Sequence, residues 1–315
     1  CLPCEGLFSK LEAGPDGRLS QVVEIQQRGE PKSGTTLMWS WARTTLAETC
    51  TFLGSIYGSE TCKIVFIKGQ GTQLEFNPQV SGANNSPCSC ETIERVSISV
   101  TMAQKHELPV ETSCPWWHPD GVAPRKTDAC DTLGGEILNL ADLWSCIGKA
   151  GCKLTDNRLQ FAQMRDPRAI TVSEYFYTAL NAPKEVMNTT VDQYMWDNLP
   201  RACQWIALRH ILFEGLLAKQ SSTSWYEDAI SDPVGWHFEW MHFAGLHLPA
   251  TAVENIAQTS IDGALHFINK HPGGQKASTE RTWKNEVSVD VVDGVDEILR
   301  AFLPPLLLAR WGVTE

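Results

Sequence analysis

The chain has 315 residues, 43% hydrophobic and 20% charged, which is ordinary for a globular protein able to bury a large core. Its 26 basic and 37 acidic residues give a net charge of −11, which argues against a general nucleic-acid binder and disfavours densely anionic partners. No uninterrupted apolar run approaches the ~18 residues that a membrane span needs.

Eleven cysteines are spread along the chain, and we expect disulfides, which should include most of the cysteines in 110–157. The odd count leaves at least one thiol free or paired with a group outside this chain. A zinc site is not expected, because no histidine pair complements the close pair Cys1 and Cys4. Disulfides, with acceptor sequons at Asn84 and Asn188, indicate a glycoprotein of the secretory pathway, and the cytoplasm is the alternative. Because the chain begins with Cys1 rather than Met, we expect a removed upstream signal or anchor.

The predicted elements in chain order are an irregular leader over residues 1–20 and a single domain over 21–315. Strands are predicted at 22–25, 62–67, 72–76, 96–102 and 158–164, and helices at 35–50, 133–147, 173–180, 190–219, 226–245, 250–258 and 290–309. Strands interleaved with helices predict an α/β fold with a central parallel sheet flanked by helices. The loop-rich stretch at about 110–157 contains four cysteines and is expected to be a Cys-rich insertion.

The turn after the first strand has the composition of an anion-binding loop. Gly29, Pro31 and Gly34 predict a tight turn, because Gly tolerates positive φ and Pro blocks a helix. A strand, a Gly-bearing loop and a helix together aim unpaired backbone N–H groups at an anion. Lys32 adds a positive charge. Hydroxyl donors stand at Ser33, Thr35 and Thr36. The alternative is a capped turn that binds nothing.

The loop differs from the nucleoside-triphosphate loop, which places lysine directly after its second glycine. Gly29 and Gly34 keep the glycine spacing, but Lys32 precedes the second glycine and Thr35 stands at the usual lysine position. A small-molecule kinase with such a loop and magnesium remains an alternative, against which the displaced lysine counts.

A second anion site is predicted after the strand at 158–164. Arg165 follows this strand and Ser173 comes eight residues later, so a turn into a helix can bring both towards one anion. Taken alone, the run Arg165-Asp-Pro-Arg168 is equally typical of a salt-bridge cluster at the start of a helix.

These two motifs resemble those of sulfotransferases that use 3′-phosphoadenosine 5′-phosphosulfate (PAPS). The run Pro31-Lys-Ser-Gly-Thr-Thr36 resembles the 5′-phosphosulfate loop of that family, and the spacing of Arg165, Pro167 and Ser173 resembles its 3′-phosphate site. Two anion sites, one for each phosphate end of the nucleotide, are much more specific than either one. The resemblance covers roughly 21–50, 96–109, 158–180 and 222–285, with the order of motifs preserved.

Two later stretches extend the resemblance. The run Trp-Tyr-Glu-Asp at 225–228 resembles the family's Tyr-Glu-Asp helix, which implies that Tyr226 lies near the adenine. Gly273-Gly-Gln-Lys276, with Trp283 after it, resembles the segment that closes over the 3′-phosphate. Lys276 stands there in place of arginine, which keeps the charge but loses bidentate geometry, and Arg281 is the alternative.

The candidate catalytic base follows the strand at 96–102. Sulfuryl transfer to a hydroxyl needs a base within hydrogen-bond reach of the attacking O–H, and histidine is suited to this near neutral pH. His106 lies in the run Lys105-His-Glu-Leu-Pro109, which resembles the family's strand-end His-Leu-Pro. Glu107 is an additional residue between the histidine and the leucine of that motif. It could itself be the base, since some carbohydrate-directed members of the family use a carboxylate. The alternative is that His106 is a surface loop residue.

The resemblance therefore implies a PAPS-dependent sulfotransferase that moves the sulfuryl group to a hydroxyl or amine of a carbohydrate or small molecule by in-line attack. Lys32 would stabilise the leaving group, and no metal is expected because the donor is already activated. The expected compartment is the Golgi lumen, with no nucleic-acid partner and no membrane span in this chain. A catalytically silent, secreted binding module with the same fold is the remaining alternative.

Overall fold

The computed structural model describes residues 4–10, 12–13, 19–29, 34–67, 71–77, 96–105, 158–181, 189–270 and 283–313. The predicted insertion at about 110–157, with its four cysteines and its predicted helix, lies outside these residues, as do the acceptor asparagines Asn84 and Asn188.

A seven-stranded sheet forms the centre of the fold. Its strands are β1 (Glu12–Ala13), β2 (Leu19–Gly29), β3 (Cys62–Ile67), β4 (Gly71–Phe76), β5 (Val96–Lys105), β6 (Leu159–Met164) and β7 (Ser221–Trp225). The order is β3-β4-β5-β2-β6-β7, and β1 pairs with the start of β2. Strands β5, β2, β6 and β7 run parallel to one another, whereas β3 and β4 form an antiparallel hairpin that joins β5. The predicted α/β fold with a central parallel sheet is confirmed.

Helices separate the strands and cover the sheet. The α-helices in the described ranges are α1 (Thr35–Tyr57), α2 (Pro167–Asn181), α3 (Val191–His210), α4 (Tyr226–Ser231), α5 (Pro233–Phe243), α6 (Ala250–Lys270), α7 (Val289–Phe302) and α8 (Pro305–Arg310). A π-helical segment at Ile211–Leu216 continues α3, and short 3-10 turns lie at Cys4–Leu7 and Trp283–Asn285. None of the helices in these ranges combines the length and apolarity needed to cross a bilayer.

Strand β6, in the middle of the parallel strands, is buried on both faces. Phe161 of β6 packs with Val23 and Ile25 of β2 in a core that α1, α5 and α6 close. Its neighbours Ala162 and Met164 point to the opposite face, because side chains alternate along a strand, and they pack against α3 and the π-helical segment. Helices α2, α3, α7 and α8 share a further core. Burial on both faces is typical of parallel strands that are covered by helices.

Several element boundaries differ from the prediction. Val22, predicted in a buried strand, is 72% exposed, because it lies on the face opposite to Val23 and Ile25. The predicted helix at 226–245 is two helices, because Asp232 and Pro233 start a new one: the Asp232 carboxylate accepts a 2.8 Å hydrogen bond from the Gly235 N–H, and proline suits the first helical turn.

Strand β7 is not predicted by the sequence pattern. Its residues, Ser-Ser-Thr-Ser-Trp, lack the apolar alternation that marks a strand. The parallel pairing with β6 along the whole strand makes it extended, and this pairing is a tertiary contact. β7 occupies the end of the sheet order, where one side of the backbone has no neighbouring strand among the described residues.

A disulfide joins Cys50, in α1, to Cys62, the first residue of β3. It confirms that the chain contains disulfides. Cys203, on α3, is a free and fully buried thiol. Burial, and to a lesser extent the nearby Asp166 carboxylate, raises the pKa of this thiol far above its ordinary value, so Cys203 stays protonated and unreactive.

An aromatic cluster between α1 and α5 encloses a buried histidine. The ring of His237 lies 5.3 Å from that of Trp41 and 5.0 Å from that of Trp236, between centroids. Its Nδ1 lies 2.6 Å from the Pro233 carbonyl oxygen, so we assign the proton to Nδ1 as the donor. Burial lowers the pKa of His237 to about 4, and the hydrogen bond to Pro233 opposes this only in part.

We predict that His237 makes the protein less stable in mild acid. The histidine pKa is 6.5 in the unfolded chain and about 4 in the folded one, so the unfolded state binds more protons between these values and the free energy of unfolding falls as pH drops. From about pH 7.5 to about pH 5 this residue should remove about 2 kcal/mol.

Urea unfolding of the wild type and of His237→Phe at both pH values measures this loss. The variant keeps an aromatic ring in the cluster, and the remaining histidines contribute equally to both proteins. If the two proteins lost the same free energy of unfolding on acidification, the assignment of the effect to His237 would be wrong.

Candidate functional site

Four parallel strands, β5, β2, β6 and β7, end at one edge of the sheet. Residues at or near the strand ends pair as follows: Arg28 with Lys105, Gly29 with Gln163, and Met164 with Trp225. The segments that begin at residues 30, 106, 165 and 226 therefore start side by side. Open α/β sheets bind their ligands at this edge. Lys32, His106, Arg165 and Tyr226 each come one to three residues after one of these strand ends.

Half of the predicted site residues belong to the described chain, namely Gly34, Thr35, Thr36, Arg165, Ser173 and Tyr226. The other predicted site residues, which lie outside it, are Lys32, Ser33, His106, Glu107, Lys276 and Arg281. Their described neighbours are Lys105 at the end of β5, Gly34 at the start of α1, and Trp283.

Gly34 is the N-cap of α1 and has a φ of 87°, in the left-handed region that favours glycine. A Cβ at this position would lie 2.2 Å from Cδ2 of Tyr226, so the aromatic ring packs directly on the glycine backbone. Thr35 begins the helix and is buried, and its carbonyl accepts a 3.4 Å hydrogen bond from Nε2 of Gln27. Thr36 is exposed on the first helical turn. The N-terminus of α1 and its backbone N–H groups thus lie at the edge where the parallel strands end.

Arg165 contacts the same Tyr226 ring. Its guanidinium carbon is 4.3 Å from the centroid of the Tyr226 ring, a cation–π arrangement. Ser173 is half-buried on the second turn of α2, the helix that starts at Pro167. Gly34, Arg165 and Tyr226, which come from three separate motifs, therefore meet in space.

Arg168 has a structural role that distinguishes it from Arg165. Its buried guanidinium pairs with Asp166 at 2.9 Å and with Asp296 at 3.0 Å. It also donates to the Trp311 carbonyl at 3.1 Å and lies 4.7 Å from the ring centroid of Trp283. The run Arg165-Asp-Pro-Arg168 thus contains a buried ion-pair cluster formed by Arg168, while Arg165 is directed to Tyr226. Trp283 follows the predicted closing segment with Lys276 and Arg281, so that segment rejoins the described fold beside Arg168.

Two buried glutamines at this edge are not predicted by the sequence analysis. Gln27 and Gln163 lie on the same face of the sheet and are fully buried. Their side-chain oxygens have no hydrogen-bond partner within the ranges that the structure covers. The signal in the sequence is a polar residue at the end of an otherwise apolar strand, where a core position would normally be apolar. Such groups are typical of a site that receives a polar ligand or water.

Glu227 belongs to the run Trp-Tyr-Glu-Asp at 225–228, and the structure gives it a specific contact. Its Oε1 accepts a 2.9 Å hydrogen bond from the backbone N–H of Asp166. Burial raises the pKa of the Glu227 carboxyl, while the Asp166 hydrogen bond and the nearby Arg165 charge lower it by less. In the part of the chain that the structure describes, no group of three or more His, Cys, Asp or Glu side chains could hold a metal ion.

No protein-family model matches the chain, and no curated protein matches it. Among solved structures, it is similar to mouse sulfotransferase SULT7A1 complexed with PAP, with a TM-score of 0.47 and 12% sequence identity. The match covers 96% of this chain and 97% of the mouse chain. We draw no conclusion about this chain from a likeness at this TM-score, and we base its function on its own residues.

We predict that Gly34→Ala lowers the free energy of unfolding by more than Gly312→Ala. Both glycines have positive φ, 87° and 70°, so alanine should cost about 1 kcal/mol at each. A Cβ at Gly312 meets nothing within 4 Å, whereas a Cβ at Gly34 meets the Tyr226 ring. We expect about 1–3 kcal/mol of additional loss at Gly34, because the ring must move.

Urea unfolding of both variants measures the difference. In a Tyr226→Ala background the additional loss at Gly34 should disappear, because the ring that the new Cβ would meet is absent. The double-mutant cycle of the two positions measures this coupling. Equal losses at the two glycines would show that the ring does not pack on Gly34.

Proposed function

We propose that this protein is a sulfotransferase that uses PAPS as the sulfuryl donor. The observation that carries the proposal is the contact of one ring, Tyr226, with both Gly34 and Arg165. These residues belong to the motifs that resemble the 5′-phosphosulfate loop and the 3′-phosphate site. A single nucleotide with anionic groups at both ends can therefore occupy both motifs at the same sheet edge.

The donor has two anionic ends that need different partners. At the 5′ end, the backbone N–H groups at the start of α1 and the ammonium of Lys32 bind the phosphosulfate, assisted by the hydroxyls of the loop. At the 3′ end, Arg165 binds the phosphate by paired hydrogen bonds and Ser173 adds a hydroxyl. Lys276 or Arg281 adds a second positive charge in this proposal, as the resemblance implies.

The reaction is an in-line displacement at sulfur. A base removes the proton from the acceptor hydroxyl or amine as the new bond to sulfur forms and the bond from sulfur to the 5′-phosphate oxygen breaks. His106 is the base in this proposal, and Glu107 is the alternative. Lys105, the last residue of β5, pairs with Arg28 near the end of β2. The candidate base therefore follows a strand end that neighbours the start of the loop with Lys32. Lys32 stabilises the negative charge that develops on the leaving oxygen.

We further propose a carbohydrate or small-molecule acceptor and a location in the secretory pathway, in the Golgi lumen. The disulfide between Cys50 and Cys62 supports an oxidising compartment, because disulfides are rare in the cytosol.

Binding of 3′-phosphoadenosine 5′-phosphate (PAP) and of AMP, compared by calorimetry, tests the donor assignment. We expect the wild type to bind PAP more tightly, because only PAP carries the 3′-phosphate. Arg165→Ala should weaken PAP binding by about 10–100-fold and leave AMP binding almost unchanged, since a charge-assisted hydrogen-bond pair is lost.

The matched control is Arg165→Lys, which keeps the charge but not the bidentate geometry and should lose less affinity. Equal losses for PAP and AMP would refute the 3′-phosphate assignment. Preferential binding of ATP with magnesium would instead favour the small-molecule kinase.

The roles of His106 and Glu107 are tested by turnover with an acceptor found by screening. Because a positioned base contributes about 10²–10⁴ in rate, His106→Ala should lower turnover by that factor and leave PAP affinity unchanged. Glu107→Gln, which keeps the side-chain size, should retain most activity. If Glu107→Gln abolishes turnover while His106→Ala does not, the carboxylate is the base.

A further inference from the structure

The proposed mechanism gives no role to Glu227, although its carboxylate contacts the residue next to Arg165. Glu227 is in the first turn of α4, directly after Tyr226. Its Oε1 accepts the backbone N–H of Asp166 at 2.9 Å, and Asp166 directly follows Arg165. The other oxygen, Oε2, is buried and has no hydrogen-bond partner among the residues that the structure describes.

A half-buried carboxylate with one oxygen fully buried and unsatisfied is unfavourable for folding. Burial disfavours the charged form, and the hydrogen bond and the Arg165 charge offset this only in part. An apolar side chain of similar size would avoid this penalty. The carboxylate therefore has a role other than packing. Its hydrogen bond from the Asp166 N–H indicates that this role concerns the loop after β6.

Two adjacent residues of α4 contact Arg165 and the residue that follows it. The Tyr226 ring lies under the guanidinium, 4.3 Å from its central carbon, while Glu227 holds the main chain one residue further on. The same ring packs on Gly34, at the end of the loop predicted for the 5′-phosphosulfate. The start of α4 thus connects both phosphate-binding segments.

The fold around Asp166 has separate anchors. The Asp166 carboxylate accepts hydrogen bonds from the N–H and the guanidinium of Arg168, and Arg168 reaches Asp296 and the Trp311 carbonyl. These contacts hold the start of α2 without Glu227. Loss of the Glu227 hydrogen bond should therefore loosen the Arg165–Asp166 main chain and leave the start of α2 in place.

We propose that Glu227 is a positioning residue for the 3′-phosphate site, which holds the main chain after Arg165 so that the guanidinium stays on Tyr226 and is preorganised for the phosphate. The inference rests on the proposed function. Glu227 acts through Arg165 and does not touch the nucleotide. Preference for a 3′-phosphorylated nucleotide then depends on a hydrogen bond one residue away from the binding arginine.

The experiment compares PAP and AMP affinities, by calorimetry, in the full chain and in three variants at Glu227. Glu227→Leu removes the acceptor at similar size and should weaken PAP binding about tenfold, with AMP unchanged. Glu227→Gln retains an acceptor oxygen for the Asp166 N–H and should keep the PAP preference within about twofold. Glu227→Asp keeps the charge but is too short to reach the Asp166 N–H, so it should lose the preference as the leucine variant does.

The ratio of the two affinities separates positioning from a general structural role, because loss of folded protein lowers both affinities together. A leucine variant that keeps the wild-type ratio overturns the inference, and so does a glutamine variant that loses the ratio as fully as leucine. Glu227→Asp serves the same test if the leucine variant does not fold. A wild type that binds PAP no better than AMP overturns the proposed function, and this inference with it.

Discussion

The parallel pairing of β2 with β5 and β6, and of β6 with β7, is the constraint on which the candidate site depends. Parallel strands bring the ends of distant segments to one edge, and the register sets which residues become neighbours there. Arg28 lies beside Lys105 and Met164 beside Trp225, so the loops that follow these strands emerge together. A one-residue change of register would move each side chain to the other face of the sheet.

A single aromatic contact then connects these loops. Tyr226 can pack on the N-cap of α1 only because Gly34 has no side chain and has a positive φ. Arg165 contacts the same ring, because its guanidinium is weakly hydrated and can stack on an aromatic side chain. The contact preorganises a positive charge beside a helix N-terminus, which is an arrangement suited to an anionic nucleotide. The net charge of −11 for the whole chain does not oppose this, because binding depends on the local charge of the site.

The polar groups buried around this edge have two different functions. Arg168 is fully engaged with Asp166, Asp296 and the Trp311 carbonyl, so it holds α2 against the C-terminal helices. Gln27 and Gln163 each keep a buried side-chain oxygen without a hydrogen-bond partner in the described part of the chain. Unsatisfied buried oxygens lower stability, and their concentration near the strand ends is consistent with a site whose polar groups are completed by a ligand or water.

Local patterns in the sequence were enough to predict the class of fold and most of its elements. Apolar runs and period-two alternation predicted β3, β4, β5 and β6, because a covered strand needs apolar side chains wherever it packs. Glycine and proline predicted the turn before α1, since backbone conformation is a local property. The motif around Arg165 predicted an anion-binding residue, but it could not separate the role of Arg165 from that of Arg168.

Only the tertiary structure decided the features that depend on contacts between distant segments. β7 has no apolar pattern and is a strand because it pairs with β6, and Val22 is exposed because of the face on which it lies. Arg168 is structural because Asp296 and Trp311 come to it from more than a hundred residues away. The hydrogen bond from Asp166 to Glu227 spans 61 residues of sequence. Side-chain composition sets what each segment can do locally, but the partner that it meets is set by the packing of the whole chain.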